Sequence, residues 1–379
     1  MRIANIFNLG IKELRSLGRD PIMLALIGFS FTASVYMAAT AMPETLNKAP
    51  IAIVDEDQSA LSTRIAGAFY PPYFSPPVFI TAQEMDSRMD AGLTTFALDI
   101  PPNFQRDVLA GRKPDVQLNV DATRMTQAFT GGGYIQTIVA MEVAAFVQRY
   151  RAATVLPVDL ALRARFNPTL SKAWFGAVIR VIDEITMLSI ILTGAALIRE
   201  REHGTIEHLL VMPVTPFEVM VAKVWAMALV VLAAAAFSLL FIVQGLLAVP
   251  IEGSVALFLA GATVHLFATT SLGIFIATMA RSMPQFALLV ILTIMPLQML
   301  SGGVTPRESM PELVQFVMQA APTTHFVMMA QAVLFRGAGF DVVWPQFIAI
   351  GAIGAILFGL ALGRFRNAIS ETESPKLAQ

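Results

Sequence analysis

Three charged residues stand inside an otherwise apolar stretch, which makes them the first candidates for a functional role. Arg180, Asp183 and Glu184 are spaced i, i+3 and i+4, so on a helix their side chains can meet on one face. Ionisable groups inside a membrane span are costly and commonly mark transport pathways. The spacing therefore fits two interpretations, a polar patch lining a pathway or gate, and a self-neutralising ion cluster near the outer interface.

Two other clusters have residue types that bind ligands in other proteins. Asp55, Glu56 and Asp57 are possible metal ligands, but acidic residues are also favoured at turns, and we prefer a strand-to-helix turn here. The run Gly131–Gly133 lacks the strand context and spacing of a nucleotide-binding loop. We expect it to mark a helix start or a close helix contact. The sequence thus predicts no metal site and no cofactor.

The residues that hydrolysis requires are missing from the sequence. There is no GxxxxGK[ST] loop, because no lysine follows a glycine, and there is no cysteine and no GxSxG motif. His203 and His208 are five residues apart, rather than the four that place two ligands on one helix face. We predict that the chain is not an enzyme and that any energy source must come from another chain.

A charged segment with strong helix punctuation covers residues 199–216. Thr215 and Glu218 form a capping-box pattern, with Pro216 at the first helical position. We predict a short helix at the membrane surface, a turn and a re-entering span. In this interpretation the segment acts as a lever that a cytoplasmic partner moves; the alternative is an ordinary charged loop. The residues of this coupling loop are Arg199, Glu200, Arg201, Glu202, His203, Gly204, Thr205, Ile206, Glu207, Leu209, Leu210, Pro213 and Pro216.

Composition indicates what kind of protein positions these residues. Of 379 residues 56% are hydrophobic and only 14% charged, whereas soluble domains have about 25% charged residues. A net charge of −1 provides no basic field, so we expect no nucleic-acid partner. The excess apolar surface requires a lipid bilayer. We therefore predict a mainly α membrane protein.

Six stretches have the length and apolar character of membrane-spanning helices, which need about 20 residues. The second contains the charged trio in its first half, and we treat it as a span with a polar entrance. The first is longer than a signal-peptide core, so we expect a retained anchor. The six stretches are Pro21–Met42, Trp174–Ile198, Val224–Ile251, Gly253–Ala280, Ser282–Pro306 and Val342–Gly363.

Positive charges set the expected orientation, since cytoplasmic loops carry an excess of Lys and Arg. Four such residues precede the first span, so the N-terminus is predicted to be cytoplasmic. With six spans the C-terminus is cytoplasmic too. The residues placed inside are Arg2, Lys12, Arg15, Arg19, Arg199, Arg201, Lys223, Arg281, Arg364 and Arg366.

Two further segments are predicted to lie at the membrane surface. Ile3, Phe7, Ile11 and Leu14 recur at helical spacing, which favours an interfacial amphipathic helix over a frayed extension of the first span. The segment Leu313–Phe335 is long enough to span, but Pro322 breaks it. We expect two short helices there that dip into the membrane or lie on its outer surface.

The polar insert between the first two spans is large enough to form a domain. Its pattern predicts a mixed α/β fold with strands at Ile51–Val54, Phe96–Ile100 and Val116–Val120 and a long helix from about Thr126. The aromatic run Phe69–Phe74 fits internal packing and a partner or membrane contact equally well. The predicted divisions are an interfacial helix at 1–20, the first span at 21–42, a periplasmic α/β domain at 43–172, a five-helix region at 173–369 with the coupling loop 199–216 and an outer re-entrant or surface segment 303–341, and a cytoplasmic tail at 370–379.

At the coupling loop the sequence resembles a known family. Residues 199–210 with Pro213 and Pro216 are similar to the R-E-x-E-x-G-T-x-E-x-L-L-x-x-P motif of type-2 ABC exporter permeases, and the whole chain looks most like the YhhJ-like inner-membrane permeases. Further matches are Ala52–Asp55 with Asp57, Ser59 and Leu61, then Ile100–Phe104, Leu300–Gly303 with Pro306, Met310–Pro311, and Ala321–Thr324. The charged trio is not part of the family pattern.

The resemblance implies six spans, with an extracytoplasmic α/β domain between the first and second. It implies that a cytoplasmic ABC ATP-binding subunit docks on residues 199–216, and that a second permease half, identical or a sister chain, completes the transporter. A periplasmic membrane-fusion adaptor is a further implied partner. The expected function is export of a small amphipathic molecule, drug or lipid-like substrate across the bacterial inner membrane, driven by ATP.

Two other functions compete with this one. An ion-coupled secondary transporter would be expected to show internal repeats with matching broken helices, and the insert after the first span interrupts any such symmetry. A membrane-anchored enzyme or sensor would need a catalytic constellation, which the sequence lacks, and six spans exceed what an anchor requires. The substrate itself is not encoded in any motif that we find.

Overall fold

The chain forms two compact units, each with its own core. The computed structural model describes residues 3–40, 46, 48–123, 125–150, 172–202 and 214–373. One unit, here called the helical unit, comprises Met1–Met42 and Ala164–Gln379; the other, the sheet unit, comprises Pro43–Arg163. The helices are α1 Ile3–Gly18, α2 Pro21–Thr40, α3 Ala60–Gly67, α4 Ala82–Asp90, α5 Phe104–Leu109, α6 Met125–Tyr150, α7 Lys172–Glu202, α8 Pro216–Leu246, α9 Val255–Met279, α10 Met283–Met299, α11 Glu312–Met318, α12 Pro322–Leu334 and α13 Phe340–Glu373.

Within the described residues, five helices are long and apolar enough to cross a membrane, namely α2, α7, α8, α9 and α13. The sixth predicted span, Ser282–Pro306, is the apolar helix α10, which has 17 residues and ends at Met299. At the helical rise it is about 26 Å long, slightly short of the roughly 30 Å hydrocarbon core. The number of six spans therefore stays a prediction.

Local signals displaced several predicted boundaries. The third span was expected to begin at Val224, but α8 already begins at Pro216 because the Thr215–Glu218 capping box starts the helix there. Lys223, which the sequence placed on the cytoplasmic side just before the third span, is consequently inside α8 and is buried. Pro322 divides the segment 313–335 as predicted, since α11 ends at Met318 and α12 starts with Pro322 at its first turn.

Helix α7 is the centre of the helical unit. Most of its apolar window is buried, whereas most of that of α13 is not, so α13 presents a large apolar surface outside the core of the helical unit. Helix α7 packs against α9, and α9 in turn packs against α12 and α13. Most of α12 is buried, including Pro322, Thr323 and Thr324 at its start.

The sheet unit is built on a four-stranded sheet of order β2-β1-β3-β4. Strands β1 (Ile51–Asp55) and β3 (Phe96–Ile100) are parallel and almost fully buried, as expected for central strands covered on both faces. Strand β4 (Gln117–Val120) is antiparallel to β3. The sequence analysis missed β2 (Val78–Phe79), a parallel edge strand of two exposed residues that is too short for a periodic signal.

Two expectations for the sheet unit are changed by the structure. Gly131–Gly133 is in the middle of α6 and does not start it. A Cβ atom added to Gly131 would lie 2.1 Å from Cζ of Phe96, so this glycine allows α6 to approach the sheet closely. The aromatic run divides: Phe69 and Phe74 are buried and pack edge to face, whereas Tyr70 is exposed.

The acidic trio forms the turn that we preferred to a metal site. The Asp55 carboxylate accepts hydrogen bonds from Gln58 N at 2.8 Å and Ser62 Oγ at 2.8 Å. Asp57 accepts one from Gln105 N at 3.0 Å. These carboxylates therefore order the chain between β1 and α3, and the described residues contain no group of side chains suited to a metal ion.

Candidate functional site

Four charged side chains from three helices form an ion network, here called the charge cluster, in which all but Lys12 are largely buried. It consists of Lys12 and Glu13 of α1, Glu200 of α7 and Lys223 of α8. Lys223 Nζ is 3.0 Å from Glu13 Oε1 and 2.7 Å from Glu200 Oε2, and Lys12 Nζ is 2.6 Å from Glu200 Oε1. The Lys223 side chain is only 2% exposed. Two positive and two negative charges balance, which is the condition for burying them.

Close packing of α1 on α8 brings the charges of the cluster within reach of one another. Trp225 Nε1 donates a hydrogen bond to the carbonyl oxygen of Ile6 at 3.3 Å, and the Trp225 ring stacks on Phe7 at a centroid distance of 6.0 Å. Gly10 allows this approach, because a Cβ atom there would lie 2.0 Å from Cζ2 of Trp225. Glu13 is one turn further along the same face and thereby reaches Lys223.

Part of the apolar stripe that the sequence predicted for α1 is exposed, next to the surface that packs on α8. Ile3 and Phe7 are exposed, while Gly10, Glu13 and Leu17 face the helical unit. A helix with an exposed apolar stripe beside a charged contact surface fits the interface plane of a membrane. The inward face is thus more polar than the amphipathic pattern suggested, because it holds part of the charge cluster.

Each of the four residues Arg199–Glu202 contacts a different part of the helical unit. Arg199 pairs with Asp20 at the start of α2, and Glu200 belongs to the charge cluster. Arg201 Nη1 donates to the carbonyl oxygen of Ala280, after α9, at 2.7 Å. Glu202 accepts a hydrogen bond from Met283 N, at the start of α10, at 2.9 Å. The end of α7 is therefore tied to α1, α2, α8, α9 and α10.

Asp20 also begins α2 through its backbone contacts. Its carboxylate accepts a hydrogen bond from Met23 N at 3.1 Å, as an N-cap residue does. This backbone hydrogen bond and the neighbouring guanidinium of Arg199 lower the pKa of Asp20 below its usual value. The pKa of Lys12 is raised, since the hydrogen bond and charge of Glu200 outweigh partial burial, which alone would lower it.

The predicted coupling loop ends at the start of α8. Residues 203–213, which include His203, Gly204, Thr205, Ile206, Glu207, Leu209, Leu210 and Pro213, lie outside the described residues. Thr215 N donates to Glu218 Oε2 at 3.0 Å, and Pro216 is in the first turn of α8, as predicted. Asn5 of α1 donates to the same Glu218 oxygen at 3.4 Å.

The charged trio of α7 is only partly brought together. Arg180 Nη2 is 2.5 Å from Glu184 Oε1, and Ser34 Oγ of α2 donates to that oxygen at 3.0 Å. Arg180 Nε donates to Ser34 Oγ at 2.7 Å, so the pair also links α7 to α2. Glu184 is fully buried, whereas Asp183 is half-buried and forms no ion pair within the described residues.

A buried polar seam between α7 and α9 was not identified from the sequence. Thr186 Oγ1 is 2.9 Å from His265 Nε2, and Ser189 Oγ donates to Thr269 Oγ1 at 2.6 Å. The His265 ring stacks on Phe326 of α12 with 4.0 Å between centroids. The signal in the sequence was the recurrence of hydroxyl residues in α7 at spacings of three and four, at Thr186, Ser189 and Thr193.

Comparison with known proteins identifies the family. The model of the ABC-2 family transporter proteins matches residues 21–362, most of the chain. The chain belongs to this family. The permease is 64% identical over 367 residues to the inner membrane transport permease YhhJ of Escherichia coli (strain K12), covering 97% of this chain and 98% of the relative.

Two more distant relatives from the same organism carry more specific names. The permease is 28% identical to the probable multidrug ABC transporter permease YbhR, over 94% of this chain and 97% of the relative. It is 25% identical to YbhS, described in the same words, over 92% and 93%. Members of this family are membrane components of transporters rather than enzymes, and they work with ATP-binding subunits. The resemblance inferred from the sequence motifs is thereby confirmed.

Proposed function

We propose that this chain is the transmembrane half of an ATP-driven exporter of small amphipathic molecules, and that a cytoplasmic ATP-binding subunit docks on residues 199–216. The observation that carries the proposal is the set of contacts made by Arg199–Glu202. Four consecutive side chains contact parts of the helical unit near five other helices. A displacement of the docked loop would therefore move α7 together with its neighbours.

The mechanism follows from the chemistry of these contacts. Buried ion pairs tolerate little separation, because each charge would be left without compensation in a poorly polarisable surrounding. The charge cluster thus makes α1, the end of α7 and the start of α8 move as one body. ATP binding and hydrolysis in the partner would press on the loop, and α7 would carry the motion along its length to Arg180 and Glu184.

If α7 moves in this way, the ion pair Arg180–Glu184 is suited to act as a gate. It joins α7 to α2 through Ser34, at the opposite part of α7 from Glu200. A movement of α7 against α2 would break these contacts and expose charged groups to the path between two permease halves. Arg180 and Glu184 would then line the open pathway, with Asp183 beside them.

The remaining assignments follow the family resemblance and the charge distribution. Both termini and the loop 199–216 are placed in the cytoplasm, and the sheet unit in the periplasm, where an adaptor protein could bind it. The contacts of α1 with Glu200 and Lys223 support a cytoplasmic N-terminus and loop, because they bring positively charged segments to one end of the helical unit. A second chain, identical or a sister permease, would complete the pathway.

Co-purification tests the proposal. The tagged permease is extracted from its native membranes after mild crosslinking, and proteins bound to wild type are compared with those bound to a Glu202→Ala, Glu207→Ala double variant. We expect an ATP-binding subunit with wild type and a large loss of it in the variant. The control double variant Asp86→Ala, Asp90→Ala removes two exposed carboxylates from α4 and should retain the subunit.

If no ATP-binding subunit co-purifies with the wild-type permease, ion-coupled transport becomes the favoured function. Wild-type permease without any ATP-binding protein, under conditions in which the crosslinker reacts with other partners, would contradict the exporter assignment. Equal recovery of the subunit with wild type and both variants would instead show that docking does not use the loop.

A further inference from the structure

A cavity of about 680 Å³ lies within the helical unit, and no residue of the charge cluster or of the gate pair lines it. The start of α7, the loop after α10, helix α12 and the start of α13 form its walls. Its volume is in the range of pockets that hold small organic molecules. Side chains that define it include Phe175, Arg307, Met328, Gln331, Arg336 and Gln346.

The two arginines of the cavity have no charged partner of their own. Arg307 is half-buried, and the described contact of its guanidinium is with the sulfur of Met328, 3.7 Å from Nη1. Neither Arg307 nor Arg336 forms an ion pair among the described residues. Glu308 also lines the cavity, so the formal charge of the three ionised groups is +1. A guanidinium with only a thioether beside it leaves most of its five donors available to an anion.

The rest of the wall is apolar with a few polar atoms. Phe175, Val327 and Val342 offer hydrocarbon surface. Gln331 Nε2 is occupied by the carbonyl oxygen of Gly302 at 3.4 Å. The side-chain oxygen of Gln346 is buried and has no hydrogen-bond partner within the described residues, so it remains able to accept from a ligand.

We propose that this cavity binds an amphipathic monoanion: a molecule with one carboxylate, phosphate or sulfate group, a hydroxyl donor and a compact apolar body. The anionic group contacts Arg307 and Arg336, the hydroxyl donates to Gln346, and the apolar body lies against Phe175 and Val327. A second, more highly charged anionic group would meet Glu308 and is disfavoured. The site does not depend on ATP coupling, and nothing in the proposed function requires it.

Binding can be measured on the full-length permease in nanodiscs of neutral phosphatidylcholine by native mass spectrometry. Lysophosphatidylglycerol and cholate are the anionic probes, a lipid and a soluble amphiphile that both carry hydroxyls. Lysophosphatidylcholine has a similar tail without net charge, and glycerol phosphate is an anionic head without a tail. We expect both amphipathic anions, or one of them, to bind more tightly than the other two probes. The probe that binds shows whether the ligand is a membrane lipid or a soluble amphiphile.

Variants assign the binding to the cavity. Arg307→Gln and Arg336→Gln should each weaken binding by about tenfold, the loss expected for one charge-assisted contact. Arg307→Lys should retain part of the affinity. Arg366→Gln, which removes an exposed arginine outside the cavity, should leave the affinity unchanged. If Arg307→Gln does not fold, Arg336→Gln gives the same test, because its side chain is exposed.

Three results would overturn the proposal. They are equal binding of charged and uncharged lysolipids, an anion preference that survives both arginine substitutions, and glycerol phosphate binding as tightly as the amphipathic anions. None of them bears on whether an ATP-binding subunit docks on residues 199–216. Conversely, the absence of such a subunit would leave the binding measurement unaffected.

Discussion

Lys223 lies two turns inside helix α8, and its ammonium group is 2.7 Å from the carboxylate of Glu200 at the end of α7. Glu13 of the N-terminal helix accepts a hydrogen bond from the same ammonium at 3.0 Å. One buried lysine therefore joins the first helix to the two helices that flank the proposed docking loop. On the proposed function, we interpret this contact as a means of transmitting force from the docking loop.

Removing Lys223 should destabilise the helical unit. In Lys223→Met the carboxylates of Glu13 and Glu200 lose their buried counter-ion, and breaking such a pair costs about 3 kcal/mol. Thermal unfolding of the purified protein in detergent measures the loss. Lys113→Met, at an exposed position of the sheet unit, should change it little. Adding Glu13→Gln to Lys223→Met should recover part of the stability; a strictly additive double variant would contradict the coupling of these groups.

Gly10→Ala should disturb the contact between α1 and α8. The new Cβ atom would lie 2.0 Å from the Trp225 ring, so the indole must leave its place or α1 must move away. Overpacking of this kind costs about 1–3 kcal/mol. In a background with Trp174 and Trp344 replaced by phenylalanine, we expect the emission of Trp225 to shift to longer wavelength.

Gly18→Ala is the matched control for this substitution, since a Cβ atom there meets nothing within 4 Å. It lies in the same helix and adds the same methyl group. If both variants leave the emission and the unfolding temperature unchanged, α1 does not pack on Trp225 as described.

The pair Asp20–Arg199 should give a pH-dependent contribution to stability. The folded-state pKa of Asp20 is lowered from the ordinary value of 3.8, so its contribution is fully present above that value. It is lost as the pH falls through the lower, folded-state pKa. Wild type should therefore be more stable than Asp20→Asn near neutral pH, because asparagine keeps a capping oxygen but loses the charge.

This difference between wild type and Asp20→Asn should shrink on acidification below pH 3.8. Unfolding midpoints of the two proteins, measured across the acid range, check the sign. A difference that is constant with pH would show that the carboxylate charge contributes nothing and that the cap alone matters.

At the proposed gate, Arg180 and Asp183 should respond differently to neutralisation. Arg180→Gln leaves the fully buried Glu184 without its cation and should cost about 2 kcal/mol, less than the 3–5 kcal/mol of a fully buried pair because the Arg180 side chain is 36% exposed. Asp183→Asn should cost much less, since Asp183 forms no ion pair among the described residues. Unfolding temperatures in detergent distinguish them, and equal losses would mean that all three charges form one cluster.

The sequence was sufficient for the features that depend on local rules. The capping box at Thr215, the break at Pro322 and the strand at Phe96–Ile100 follow from residue preferences within a few positions, and the structure has them. The motif residues Arg199–Glu202 were also recognised as a unit. In each case the physical cause lies within one turn or one strand.

The contacts that give those residues their proposed role could not be predicted from the sequence, because they join distant parts of the chain. Asp20 is 179 residues from Arg199, and Lys12 is 188 residues from Glu200. The spacing of apolar residues predicted α1 but could not show which residue Lys12 contacts. The seam between Thr186 and His265 was missed for the same reason, as each residue alone resembles an ordinary polar residue in a span.

The most direct test of docking on residues 199–216 is site-directed crosslinking, which the absence of native cysteines makes clean. A single cysteine is introduced as Glu207→Cys, or as Asp86→Cys in the sheet unit, and a short bifunctional reagent is added to native membranes. We expect a crosslink from position 207 to an ATP-binding subunit and none from position 86. Capture of the subunit from position 86 would contradict docking on residues 199–216. So would the absence of a crosslink from either position when the subunit co-purifies with the permease.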